Sequence, residues 1–215
     1  MFKGKLIVLS LIAAALLSWQ IMPAGVGTAN SGIVEPCSST ASSGAACMLL
    51  CPAGDGTRLD LSGGTVSVTV KDNTGAPVAG IPAADFWLTG WSGGLTLCGG
   101  AGSSNANLAT NALGQTLMIG TIAAGGCDLG GLSVVVQGVI LQDPATNCTT
   151  DLCLAITSVS PDINGDLIVQ LIDLAQFGPV FLGTVALNLC MDFNCDGIVN
   201  LVDLALLGAH WQHVC

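Results

Sequence analysis

Asp, Asn, Asp and Asp recur at positions 1, 3, 5 and 12 of two stretches near the C-terminal end, Asp162–Ala175 and Asp192–Ala205. Sliding residues 162–178 by 30 gives identity at ten of 17 positions, so the stretches are copies of one unit. Oxygen donors in this pattern suit calcium, a hard cation that takes about 6–8 oxygen ligands. A short loop wraps such an ion with side chains at positions 1, 3 and 5 and a backbone carbonyl at 7. Position 9 acts directly or through water, and a carboxylate at 12 closes the shell from the start of a helix. In the second copy these are Asp192, Asn194, Asp196, the Ile198 carbonyl, Asn200 and Asp203, with Gly197 at the sharp turn of position 6. The first copy supplies Asp162, Asn164, Asp166, the Ile168 carbonyl, Gln170 and Asp173. There Leu167 stands where glycine is expected, and a leucine held at positive φ is strained. The first of the two expected Ca2+ sites is therefore the weaker or the more reshaped, with Gly165 absorbing part of the turn.

These residues need helices to carry the closing carboxylates. Leu171, Leu174 and Phe177 recur at helical spacing in the first copy, before Gly178-Pro179 ends the pattern. Leu201, Leu204, Leu207 and Trp211 do the same in the second. Each helix is too short to persist alone. The two are expected to bury these stripes against each other as an antiparallel pair, leaving Gln176 and Leu206-Leu207 to flank the face open to a partner. Nothing helical precedes either loop, and Ile156–Pro161 reads as a strand ending in proline.

A loop with an exiting helix, repeated once and closed by Asp at position 12, resembles the dockerin domain of type I over about residues 160–215. The resemblance implies a cohesin-type protein partner and a setting of polysaccharide catabolism. The positions just before the closing aspartates depart from the polar residues that help well-known dockerins choose a partner. They are Leu171-Ile172 and Leu201-Val202.

The part before the repeat reads as β-structure. Residues 30–64 are rich in Gly, Ser, Ala and Cys, an irregular entry segment with one short strand expected near Met48–Cys51. From Thr65 to Lys71 apolar and polar residues alternate, and Asp72–Pro77 is a strong turn. Further strands are expected at Ala84–Thr89, Gln115–Ile122, Leu132–Leu141 and Leu154–Val159, with Val134–Val136 buried on both faces. Val68–Gly80 is similar to the opening of bacterial Ig-like and carboxypeptidase-regulatory-like sandwiches, and Thr110–Gln115 resembles a later turn of theirs. The fold class is thus mainly β plus small α. An Ig-like β-sandwich over 65–160 is followed by a dockerin-like calcium-binding domain over 161–215.

Met1–Lys5 is basic, the apolar run Leu6–Trp19 follows, and small residues lead to Ala29, the pattern of a secretory signal peptide over 1–29. Its removal leaves Arg58 and Lys71 against 14 acids, a net charge of −12. That balance excludes nucleic acid as a partner, because phosphate contacts need clustered Lys and Arg. No other segment is apolar enough to span a membrane, so a secreted, extracellular or cell-surface location is expected. Ten cysteines in such a chain argue for disulfides. Seven precede residue 160 and three follow it, so complete pairing requires at least one bridge between the two parts. His210-x-x-His213 beside Cys215 is the one hint of zinc.

No catalytic residues are proposed. Glu35 is the sole glutamate, both histidines lie in the last six residues, and no nucleophile–base–orienter set is visible. The function expected is that of a secreted, non-catalytic calcium-binding protein. Its tail mediates protein–protein assembly and its sandwich serves as a displayed binding or spacer module. Two alternatives stand beside it. One is a structural surface or matrix protein in which calcium is only a staple. The other is a carbohydrate-binding module in which Trp87 and Trp91, with Phe86, stack on an extracellular polysaccharide.

Overall fold

The computed structural model describes residues 32–99 and 104–215, so the leader read over 1–29 lies outside the described residues. Strands β3 (Val66–Thr69) and β6 (Gln115–Met118) pair antiparallel, and β1 (Thr40–Ser42) adds to the other edge of β3. Val66, Val68 and Met118 point into the core while Ser67, Gln115 and Leu117 stay exposed, which is the alternation the sequence carries. A second antiparallel sheet is formed by β4 (Phe86–Gly90), β8 (Leu132–Val136) and β9 (Val139–Ile140). Every residue of β8 is buried, as its continuous valines require. Phe86, Leu88, Val134 and Val136 meet Val66, Val68 and Met118 in one apolar cluster, so the two sheets share a core. Each such side chain contributes about 1.5–3 kcal/mol on full burial.

Aspartate and asparagine form the expected turns. Asp72 Oδ1 accepts from the Thr74 and Ala76 amides at 2.8 and 3.0 Å, and Gly75 takes φ of 81°. Asn111 Oδ1 accepts from the Leu113 and Gln115 amides, with Gly114 at φ of 71°.

The entry segment is more ordered than its composition suggests. Besides β1 it supplies β2 (Ala46–Leu49), close to the expected strand, and a single helical turn, α1 (Leu59–Ser62). β2 pairs in parallel with β10 (Ile156–Val159), the strand that leads directly into the first aspartate loop. A further antiparallel pair, β5 (Leu95–Leu97) with β7 (Ala124–Gly126), was not legible in the sequence.

The tail contains helices α2 (Leu171–Phe181) and α3 (Leu201–Ala209). Three expectations are corrected here. Gly178-Pro179 does not end the first helix; Val180 and Phe181 pack on the apolar cluster and carry α2 one turn further. Leu171 and Leu201 are exposed, because the buried faces are set by Asp173 and Phe177 in α2 and by Asp203 and Leu207 in α3. Leu207 is therefore core and does not flank an open face. The helices also bury against more than each other: Phe177 and Leu207 meet Met191, Phe193, Leu49 and Val159, the last two from β2 and β10.

Three disulfides join the tail to the β-rich part, Cys47–Cys195, Cys98–Cys215 and Cys127–Cys190, and a fourth, Cys37–Cys148, lies within the β-rich part. Cys51 and Cys153 are free. Among the described residues no helix is long and apolar enough to cross a membrane. Four disulfides are typical of proteins that mature in oxidising compartments.

Candidate metal centre

Each aspartate loop is built by its own carboxylates. In the first, Asp162 Oδ1 accepts from the Gly165 and Asp166 amides at 3.0 and 3.2 Å, and its Oδ2 from the Leu167 amide at 2.7 Å. Asp173 reaches back from α2: Oδ1 accepts from the Ile163 and Asn164 amides, and Oδ2 from the Gln170 amide at 2.9 Å. Gln170 and Asp173 thus form a capping box at the start of α2. The Asn164 and Gln170 side-chain amides both donate to Asp166 Oδ2, at 2.9 and 2.8 Å. These contacts gather the side chains of Asp162, Asn164, Asp166, Gln170 and Asp173 around one loop.

The second loop repeats the arrangement. Asp192 accepts from the Asp196 and Gly197 amides, Asp203 from those of Phe193, Asn194 and Asn200, and Asn194 and Asn200 donate to Asp196. Asn200 also caps α3 by accepting from the Val202 amide at 2.7 Å. The backbone repeats as well. Positions 4 and 6 take positive φ in both copies: Gly165 at 70° and Leu167 at 70°, Cys195 at 61° and Gly197 at 87°. The amides of Ile168 and Ile198, at position 7, donate to Asp166 and Asp196.

Leu167 therefore occupies the conformation that glycine fills in the second loop, at a cost of roughly 1–2 kcal/mol for an L-residue. Replacing Leu167 with Gly is expected to remove that strain and tighten the first site by up to about tenfold, read as a second calcium isotherm that shifts toward the first. An unchanged isotherm would show that the first loop does not depend on this turn.

The donor types are those calcium takes, although in neither loop do three carboxylates bring oxygens within 4.8 Å of one another. Asp162, Asp173, Asp192 and Asp203 are all buried. Burial, with Asp173 and Asp166 nearby, pushes the Asp162 carboxyl up to about 6, a crowding of acid that a divalent cation would relieve. Hydrogen bonds from Asn194, Ile198 and Asn200 hold Asp196 below the usual carboxylate range, ready to serve as an ionised oxygen donor.

Neighbouring residues hold the loops in place, and sequence spacing gave no sign of them. The Gly126 amide donates to the Asp162 carbonyl at 2.7 Å, the Asp162 amide donates to Ser160 Oγ, and Gly125 lies hard against the Asp162 carboxylate. The first loop is thereby seated on β7. Position 4 of the second loop is Cys195, tied to β2 by a disulfide. Past α3 the chain returns to the first loop: the Val169 amide donates to the His213 carbonyl and the Gln212 amide to the Val169 carbonyl, both at 2.9 Å.

Of the aromatic residues named for carbohydrate stacking, Phe86 is fully buried, Trp87 is half-buried and Trp91 is 39% exposed. Phe86 belongs to the core, so any stacking surface would be limited to the two tryptophans. Cys215 is bonded to Cys98 and does not join the two histidines.

No family profile and no curated protein matches the chain. Among solved structures it is similar to a C-terminal interface mutant of a type II cohesin–X–dockerin complex from Acetivibrio cellulolyticus, at 15% identity over 81% of this chain and 97% of that one. The TM-score is 0.26, a likeness too slight to carry an argument.

Proposed function

We propose that this is a secreted, non-catalytic calcium-binding protein whose duplicated loop–helix tail, dockerin-like in plan, docks on a cohesin-type protein domain. In this reading the β-rich part is an Ig-like sandwich that the tail holds in place within an assembly. Bound calcium would cross-link positions 1 to 12 of each loop and so fix the start of the following helix. The observation that carries the reading is a duplicated apolar surface. Leu171 and Ile172 are 69% and 51% exposed, and their counterparts Leu201 and Val202 are 71% and 49% exposed. Four large apolar side chains at equivalent places on two helices leave about half or more of their surface open to solvent, as expected of positions that await a partner.

The test is calorimetry of the full chain with cohesin-type domains from the same organism, with calcium and with chelator. Calcium-dependent binding is expected, weakened about 100-fold or more by the Leu171→Asp/Leu201→Asp pair, since anchors of this kind contribute about 2 kcal/mol or more each. Absence of binding to any of them, with calcium uptake intact, would overturn the docking reading.

A specific observation favours the second reading, calcium as a staple. Three disulfides and the β2–β10 pairing bind the tail to the β-rich part, and the loop carboxylates already knit the backbone. In that case calcium uptake raises the melting temperature and no partner follows.

A further inference from the structure

We propose that Cys51, Asp55, His210 and His213 form a four-coordinate zinc site that clasps the C-terminal segment to the β-rich part. The four residues come from the two ends of the described chain, and one potential ligand atom from each lies within 4.8 Å of all the others. A turn closed by the Gly54 amide on the Cys51 carbonyl, with Gly54 at φ of 73°, brings Asp55 back beside the Cys51 thiol. At the other end, α3 stops at His210, and the His213 amide donates to the His210 carbonyl at 3.0 Å, so both imidazoles face the same point.

The separations are close to those of a four-coordinate ion. Zinc ligated by sulfur, nitrogen and oxygen at about 2.0–2.3 Å sets ligand-to-ligand edges of about 3.3–3.6 Å. The observed separations are 3.2 Å from Cys51 Sγ to His213 Nδ1, 3.3 Å between the two Nδ1 atoms, 3.4 Å from Asp55 Oδ1 to His210 Nδ1 and 3.4 Å from Asp55 Oδ2 to His213 Nδ1. Hydrogen bonding alone leaves the cluster unsatisfied. His213 Nδ1 faces a thiol, a second imidazole nitrogen and a carboxylate, yet it has one hydrogen or one lone pair to offer. A cation between the four atoms gives each of them its partner. The mixed sulfur, nitrogen and oxygen set selects zinc over calcium, and four protein ligands make the site structural and closed.

The position gives the site a consequence. The residues beside and including His213 pair with Ile168 and Val169 of the first aspartate loop. Zinc therefore braces that loop from behind, while the second loop is held independently by Cys47–Cys195. The zinc assignment does not depend on the calcium reading.

Cobalt is the probe. Purified full chain, shown to carry two free thiols, is titrated with Co2+ and then with Zn2+. One equivalent of Co2+ is expected to give the intense visible bands of a tetrahedral ion and a thiolate charge-transfer band, both displaced by stoichiometric Zn2+. Cys51→Ser removes the charge-transfer band and His213→Gln abolishes the site. Asp55→Asn, at an exposed position that leaves the core untouched, weakens zinc on the order of tenfold or more. Asp203→Asn leaves the cobalt spectrum unchanged. A Co2+ spectrum without tetrahedral bands, a spectrum indifferent to Cys51→Ser, or mass-spectrometric proof of a Cys51–Cys153 disulfide would each overturn the proposal.

Discussion

Asp203→Ala is expected to abolish calcium uptake at the second loop and cost roughly 3–5 kcal/mol of stability in the tail. Asp203 is fully buried and accepts three backbone hydrogen bonds, from Phe193 at 2.7 Å, Asn194 at 3.3 Å and Asn200 at 2.8 Å. Truncation to Ala strands those amides, at about 1–3 kcal/mol for each one left buried without a partner. The damage spreads because Phe193, whose amide is among them, stacks on Phe177 with ring centroids 5.8 Å apart. Phe177 is the buried anchor of α2, so one carboxylate in the second repeat supports the core shared by both. Disulfides 47–195, 98–215 and 127–190 keep the loosened tail tethered, and amide exchange is expected to rise there while β3, β4 and β8 stay protected.

Asp203→Asn separates the two roles of the carboxylate. The amide oxygen still accepts hydrogen bonds, so most of the stability survives, but the charge that a calcium site needs is gone. Calorimetry of calcium uptake and thermal unfolding in chelator distinguish the variants. Two full calcium equivalents in Asp203→Ala would sink the assignment of this loop as a metal site.

The aspartate turns were the most legible part of the chain, because Asp and Asn at short fixed spacing accept hydrogen bonds from the amides of their own loop. The positive φ at Leu167 follows from the same local logic, since position 6 turns sharply whatever residue stands there. Strands β3 and β8 were legible for a similar reason: alternation or continuity of valine reports directly on burial. What failed was what depends on distant partners. β7 reads Ala124-Gly125-Gly126, with no β-former in it, and exists because β5 and the first loop lie against it. The helix faces were rotated from their apolar stripes because the residues that most need burial include aspartates. Asp173 and Asp203 close the loops, and Leu171 and Leu201 turn outward as a result. The histidine pair was visible in sequence, but its thiol neighbour is Cys51, about 160 residues away, and not the adjacent Cys215.

Gly125→Ala is expected to eliminate the first calcium site while leaving the second in place. A Cβ at Gly125 would fall inside the Asp162 carboxylate, whose backbone is fixed by the Gly126 amide and the Ser160 hydroxyl. Asp162 is fully buried, so its side chain has no vacant space to enter. Either β7 shifts away from the loop or the carboxylate leaves position 1 and abandons the amides of Gly165, Asp166 and Leu167. Overpacking of this kind costs about 1–3 kcal/mol, and the three amides add to it if the carboxylate moves. A calcium titration is expected to lose its weaker phase, with the stronger phase changed by less than about threefold, because the second loop is anchored on β2 through Cys195 and reaches the end of β7 only through the Cys127–Cys190 disulfide ahead of it. Asp162→Asn makes the complementary test: it keeps the shape of the site and removes the charge. If Gly125→Ala leaves both phases intact while Asp162→Asn removes one, the loop binds its ion without the support of the β-rich part. If both variants leave both phases intact, Asp162 is a turn residue and the weaker phase does not arise from the first repeat.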